Sequence, residues 1–164
     1  MEIVQISNIR EIKKAKEELE KKLDIKITLS RKTATIEGNS LEEYEVANIL
    51  NAISLGFSAK KSIHLLGEEI SFKKINIKDF TKRKDMYEVR ARIIGKEGKI
   101  KRTLEDLSDC EIIIRENTIG ILGSAEEMEK TITGITNLIR GSKVSNVYNY
   151  LEKLNREKKK LNKS

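Results

Sequence analysis

Apolar residues recur at helical spacing in several stretches of this chain and alternate in several others. Ile12, Ala15, Leu19 and Leu23 step by three and four positions, which predicts a helix over residues 9–22. Ile100, Leu104 and Leu107 do the same for residues 99–108. Each stretch is followed by two short strand-like runs, "IKITLS" and "TATIEG" after the first, "CEIIIRE" and "TIGILG" after the second. "RKT" and "NT" serve as hairpin turns, with Asn117 the residue suited to positive φ. Helix starts come next, with capping boxes at Ser40-x-x-Glu43 and Ser124-x-x-Glu127. Their apolar faces are Val46, Ile49, Leu50 and Ile53, and Met128, Ile132, Ile135 and Leu138. Gly56 and Gly141 stand where a left-handed cap would end them. "SAKKSIHLL" and "VSNVYNYLEKL" read as further short helices, and the basic tail "NREKKKLNKS" reads as a fraying end. "EIVQI" and "EISFKKINI" supply a leading strand to each set, and "KDMYEVRARII" adds a helix to the second.

The two sets are copies of one unit. Offset by 85 residues and without a gap, residues 9–56 match residues 94–141 at 12 of 48 positions. Lys16/Lys101, Leu19/Leu104, Glu20/Glu105, Ile27/Ile112, Ile36/Ile121 and Gly38/Gly123 are among the pairs. A period that long means tandem domains rather than a solenoid. The expected division is residues 1–67 and 68–164.

Composition narrows the class. The chain has 164 residues, 38% hydrophobic and 36% charged, which suits modest cores under a highly charged surface. Its apolar runs fall far short of the roughly 20 residues that span a bilayer. Residues 1–10 lack a signal-peptide core, and the single cysteine excludes an internal disulfide. A cytoplasmic protein is expected. The net charge is +7, and residues 81–102 hold nine basic residues against three acidic ones. A field of that density attracts polyanions.

That basic stretch contains "RIIGKEGKIK". Gly95 and Gly98, two of only nine glycines, sit between a helix ending at Ile94 and one starting near Lys99. Glycine permits a sharp turn and lets a phosphate approach without a Cβ in the way. The amides and dipole of the following helix favour an anion there, with Lys96 and Lys99 alongside. The spacing is neither a Walker pattern nor GxGxxG.

This β-α-turn-α-β-β-α order with an I-G-x-x-G turn resembles a type I K-homology (KH) domain. Over nearly its full length the chain resembles the archaeal two-KH ribosome-assembly proteins, relatives of the eukaryotic KH partner of the small-subunit rRNA 3′-end endonuclease. "RIIGKEGKIKRTLEDL", "NTIGILG", "LGFSAKKSIHLL" and "SKVSNVYNYLEK" carry the resemblance. It implies an α+β fold of two tandem KH-like domains, each a three-stranded sheet with helices on one face. It also implies single-stranded RNA binding without catalysis, with the turn clamping about four nucleotides by their backbone. Carried over by position, Gly95, Lys96, Glu97 and Gly98 form the clamp. Ile94, Ile100 and either Ile113 or Ile114 line the groove. Arg92, Lys99, Lys101, Arg102 and Arg115 supply charge. Glu97 departs from the pattern, because a carboxylate beside phosphate opposes binding. The implied partners are the 3′ region of 16S rRNA, the endonuclease and other assembly factors.

The first copy departs further. Its turn positions read Arg10-Glu11-Ile12-Lys13, and Asn8 with Glu11 forms a capping box for one continuous helix. A degenerate KH-like domain follows, one that packs, binds protein or offers Lys13, Lys14 and Lys16 as a weak electrostatic surface. No catalytic residue, metal or cofactor is expected. His64 stands alone, Cys110 reads as a buried strand residue, and no Ser/His/Asp arrangement exists. The strands carry no aromatics for the stacking used by RRM or OB folds. Two rivals stay open: a general KH RNA-binding regulator or decay adaptor, and a protein-interaction scaffold whose KH folds no longer bind RNA.

Overall fold

The computed structural model describes residues 1–67 and 69–163. The expected boundary residue 68 and the last tail residue, Ser164, lie outside them. By contacts the chain separates into Met1–Phe72 and the residues from Lys73 onward. The first unit runs β1 (Glu2–Gln5), α1 (Ile9–Lys22), β2 (Lys26–Leu29), β3 (Thr33–Glu37), α2 (Ser40–Leu55) and α3 (Ala59–Ser62), ending in a 3-10 turn over Ile63–Leu66. The second runs β4 (Ile70–Asn76), α4 (Met86–Ile94), α5 (Lys99–Ser108), β5 (Glu111–Arg115), β6 (Thr118–Ser124), α6 (Ala125–Arg140) and α7 (Val144–Asn162). The division falls inside β4. The expected α+β class with two three-stranded sheets is the one found.

Strand orders match between the units, β1-β3-β2 and β4-β6-β5. So does the register: Ile27 pairs with Ile36, and Ile112 with Ile121. Alternation sends these residues to one face, where all four are 2% exposed or less. In the first unit Ile12, Ala15 and Leu19 of α1 and Ile49, Leu50 and Ile53 of α2 cover that face, each fully buried. Every such isoleucine or leucine contributes about 1.5–3 kcal/mol. In the second unit Val89, Ile93, Leu104, Ile135 and Leu138 play the same part.

One polar device is repeated as well. Glu20 Oε2 accepts the Ile27 N–H at 3.0 Å while Lys16 pairs with Glu20 at 3.7 Å. Glu105 Oε2 accepts the Ile112 N–H at 3.0 Å while Lys101 pairs with Glu105 at 3.1 Å. A glutamate thus ties the helix to the first amides of the hairpin. The matched Lys, Glu and Ile of the sequence repeat are this tie.

Helix ends differ from expectation in detail. Asn8 is left-handed (φ 63°) and makes no side-chain cap. Glu11 instead accepts the Ala59 N–H at 2.8 Å and pairs with Lys14, contacts that hold its carboxyl below the usual value, the Ala59 bond first. The cap of α2 is Asn39, one residue before the expected Ser40. Glu43 accepts the Gly38 N–H and pairs with the N-terminus at 2.9 Å. Ser124 does cap α6, accepting the Glu127 N–H at 3.2 Å. In the second hairpin Glu116, not Asn117, takes positive φ, and Asn117 Oδ1 accepts from Arg90 at 2.9 Å. Gly56 and Gly141 end α2 and α6 as expected.

The tail is helical rather than frayed. α7 continues to Asn162 because its inner face is anchored: Val147 and Leu151 are buried, and Asn155 donates to the Leu107 carbonyl at 2.8 Å. Beside them Glu127, 6% exposed, is held by Lys130 and, at 2.7 Å, by Lys158. Burial opposes the Glu127 charge, but the two lysines outweigh it and lower its pKa. Cys110 is buried beside Gly123 and Thr131, and burial pushes its thiol up, the opposite of a reactive nucleophile.

Candidate nucleic-acid interface

The glycine turn joins two helix ends. Gly95 ends α4 with φ 75° and ψ 176°, and its N–H bonds the Ala91 carbonyl at 2.8 Å. Lys96–Gly98 makes one tight turn closed by Gly98 N–H to Gly95 O at 3.2 Å. Gly98, at φ 76°, starts α5 with no side-chain cap, which leaves the helix N-terminus open to solvent or an anion. The two glycines are required for different reasons. A Cβ on Gly95 would lie 2.5 Å from Ile100 Cγ1, so the turn is packed onto α5 there. At Gly98 the space is open, and only the positive φ demands glycine. Glu97 sits at φ 55° without glycine's freedom, a conformation costing about 1–2 kcal/mol.

Charge converges on this turn. Lys96, Lys99 and Arg102 are exposed, and among the described residues none of them forms an ion pair. Arg102 reaches back to the turn: its Nη1 lies 3.9 Å from where a Gly98 Cβ would be. Three cations and the positive end of α5 oppose one carboxylate, Glu97, and the negative end of α4. The balance favours an anion.

The remaining expected residues divide. Arg92 donates to the Ser142 carbonyl at 3.2 Å, and Lys101 belongs to the Glu105 tie, so both carry structural contacts. Arg115 lies at the far end of β5, opposite Thr118. Ile94 is half-buried at the turn. Register resolves the strand isoleucines: Ile112 and Ile114 share the helix-covered face, and Ile113 points the other way. Ile114 and Ile100, both partly buried, pack against the edge of the core.

Two of the three lysines expected to form a weak electrostatic surface on the first unit, Lys13 and Lys16, line one groove, and Lys14 lies outside it. That groove, between α1 and β2, is lined by Lys13, Lys16 and Lys26, by the acids Glu17 and Glu20, and by Ile27, Thr28 and Leu29. The 85-residue offset maps Lys26–Leu29 onto Glu111–Ile114 of β5. Among the described residues no cluster of three or more His, Cys, Asp or Glu could hold a metal, and no helix is long and apolar enough to cross a membrane.

A Gly-x-x-Gly turn between two helices, set against a three-stranded sheet in the order β4-β6-β5, defines a type I KH domain. The eukaryotic-type KH domain (KH-domain type I), in its PNO1 second-domain form, matches residues 71–156. The chain belongs to this KH family. It is 28% identical over 153 residues to a KH domain-containing protein of Methanocaldococcus jannaschii, covering 89% of this chain and 66% of the relative. It is 30% identical to the RNA-binding protein PNO1 of Oryzias latipes, covering 77% of this chain and 56% of the relative. The chain therefore spans roughly half to two thirds of the curated relatives it matches. Among solved structures, Dim2p of Pyrococcus horikoshii superposes with a TM-score of 0.79 at 30% identity, covering 93% of this chain and 98% of that one. An a/eIF2alpha-aDim2p-rRNA complex from the same organism gives 0.80 at 29% identity, covering 95% and 94%.

Proposed function

We propose that this protein is a non-catalytic ribosome-assembly factor that holds single-stranded 16S pre-rRNA near its 3′ end, in the cytoplasm. The observation that carries the reading is the Gly95–Gly98 turn, with an uncapped α5 N-terminus and Lys96, Lys99 and Arg102 free around it. The backbone phosphates would meet the α5 amides and these cations, and the bases would lie over Ile100 and Ile114. The names of the relatives, and the rRNA in the Pyrococcus horikoshii complex, support the ribosomal part. The α1–β2 groove of the first unit offers Lys13 and Lys26, beside Glu17 and the Lys16–Glu20 pair, as a second, weaker contact without a clamp. The small-subunit 3′-end endonuclease belongs to the same reading as a protein partner. KH recognition asks for geometry and charge rather than a nucleophile or a metal.

The test is RNA affinity across a salt series. The probe is single-stranded RNA of the small-subunit rRNA 3′ end, with a scrambled control, and the native chain is compared with Lys96→Asp/Glu97→Asp. A loss of tenfold or more, a shallower salt slope and a native preference for the rRNA probe are expected. Loss without preference supports a general RNA binder. No loss overturns the clamp and favours a protein scaffold.

A further inference from the structure

α4 carries an aromatic that the clamp does not use. Tyr87 is 74% exposed, while Val89 and Ile93 turn the other side of the helix into the core. Tyr87, Ala91 and Ile94 stand at i, i+4 and i+7, so they form one stripe, exposed at Tyr87 and Ala91 and half-buried at Ile94, that runs about 10 Å into the Gly95 turn. Ala91 is exposed and small, and it keeps that lane open. The extended segment before the helix adds Lys82 and Lys84, both exposed and, among the described residues, without an ion pair. The local acids are already engaged. Asp85 caps α4 by accepting the Glu88 N–H at 3.2 Å, and Glu88 pairs with Arg83 at 3.7 Å. Tyr148, by contrast, packs against the core of this unit. An exposed aromatic face beside unpaired lysines, continuous with a phosphate clamp, has the chemistry of a base-stacking platform.

We propose that Tyr87, flanked by Lys82 and Lys84, stacks one RNA base outside the Gly95–Gly98 clamp and lengthens the bound strand along α4. The site rests on the RNA-binding reading above and extends its footprint beyond the groove. Stacking on tyrosine accepts any base, so it raises affinity for longer strands without adding sequence preference.

The experiment compares the native chain, Tyr87→Ala and Tyr87→Phe on two probes, one of about four nucleotides that fills only the clamp and one extended at both ends. Tyr87→Ala is expected to leave the short probe unaffected and to weaken the long one roughly 5- to 100-fold. Tyr87→Phe should keep native affinity, because the ring and not the hydroxyl does the stacking. Tyr87→Trp introduces a tryptophan into a chain that has none, and its fluorescence should be quenched by the long probe only. An unchanged urea midpoint in Tyr87→Ala confirms that the fold is intact. If the native chain binds both probes and Tyr87→Ala matches it on each, the stacking site is overturned and the clamp stands. If the native chain binds neither probe, the RNA reading itself fails and the stacking site with it.

Discussion

The two units share a scaffold and differ at one corner. Positions 95–98 of the second unit form a turn between two helices, whereas the matching positions 10–13 of the first are the opening turn of α1. Ile12 is fully buried where its counterpart Glu97 is exposed. In the first unit these four residues are helical, with Ile12 in the core and Glu11 holding the Ala59 amide, while Arg10 and Lys13 stay exposed. In the second the chain forgoes a helical turn, places Gly95, Glu97 and Gly98 at positive φ, and keeps a helix N-terminus open. An open turn between two helices and the partly buried opening turn of one helix compete for the same four positions, and each unit has settled on one.

The sharpest way to break this comparison is Gly95→Ala beside Arg10→Ala. The first combines positive φ with a collision on Ile100 and should cost about 2–4 kcal/mol, together with most RNA affinity. The second alters an exposed residue in a helix and should stay within about 0.5 kcal/mol. Urea denaturation of both variants decides it, and equal costs would mean that the turn is not the special corner described.

The shared scaffold is tested next. Glu20→Ala and Glu105→Ala each leave a hairpin amide without its acceptor, and each should lose about 1.5–3 kcal/mol. A difference between them of more than about 1 kcal/mol would show that the repeated tie is not equivalent in the two units.

The α7 anchor is a feature that pH can sharpen. The folded pKa of Glu127 is lowered, so its contribution is fully present above the ordinary carboxylate value of about 4.3 and is lost as pH falls through the lower folded value. Thermal melts of Glu127→Gln should be less stable than the native chain near neutrality, with the gap closing in acid. A gap that stays constant with pH would assign the effect to packing rather than charge.

A smaller change than those of Gly95 and the two glutamate ties is expected at Glu97→Gly. It relieves a left-handed non-glycine residue, but the added freedom of the unfolded chain offsets part of that gain, leaving about 0.5–1 kcal/mol of stabilisation. Removing the carboxylate should also tighten RNA severalfold at low salt, with the advantage fading as salt rises. Weaker binding by this variant in filter or anisotropy assays would mean that Glu97 contacts RNA productively.

Much of this molecule was legible without coordinates because its signals are local. The apolar spacing of Ile12, Ala15 and Leu19 and of Ile100 and Leu104, the alternation in the hairpins, Gly56 and Gly141 at helix ends, and the 85-residue offset all depend on neighbours along the chain. The Gly95–Gly98 turn was legible for the same reason: positive φ at a helix junction selects glycine. What sequence could not settle depends on partners distant in the chain. Asn8 and Glu11 looked like a capping box, but the Ala59 amide, 48 residues away, claims Glu11. Asn117 looked like the hairpin's left-handed residue, but Glu116 takes that conformation and Arg90 holds the Asn117 side chain. The basic tail looked loose until Leu107, Glu127 and Lys130 anchored α7. Arg92 and Lys101 looked like ligand-binding charges, and only the fold revealed that Ser142 and Glu105 occupy them. Which of Ile113 and Ile114 faces the helices likewise waited on strand register. Local backbone preference is written residue by residue, but a polar side chain goes to whichever partner the packed structure brings within reach, and that is decided by tertiary structure alone.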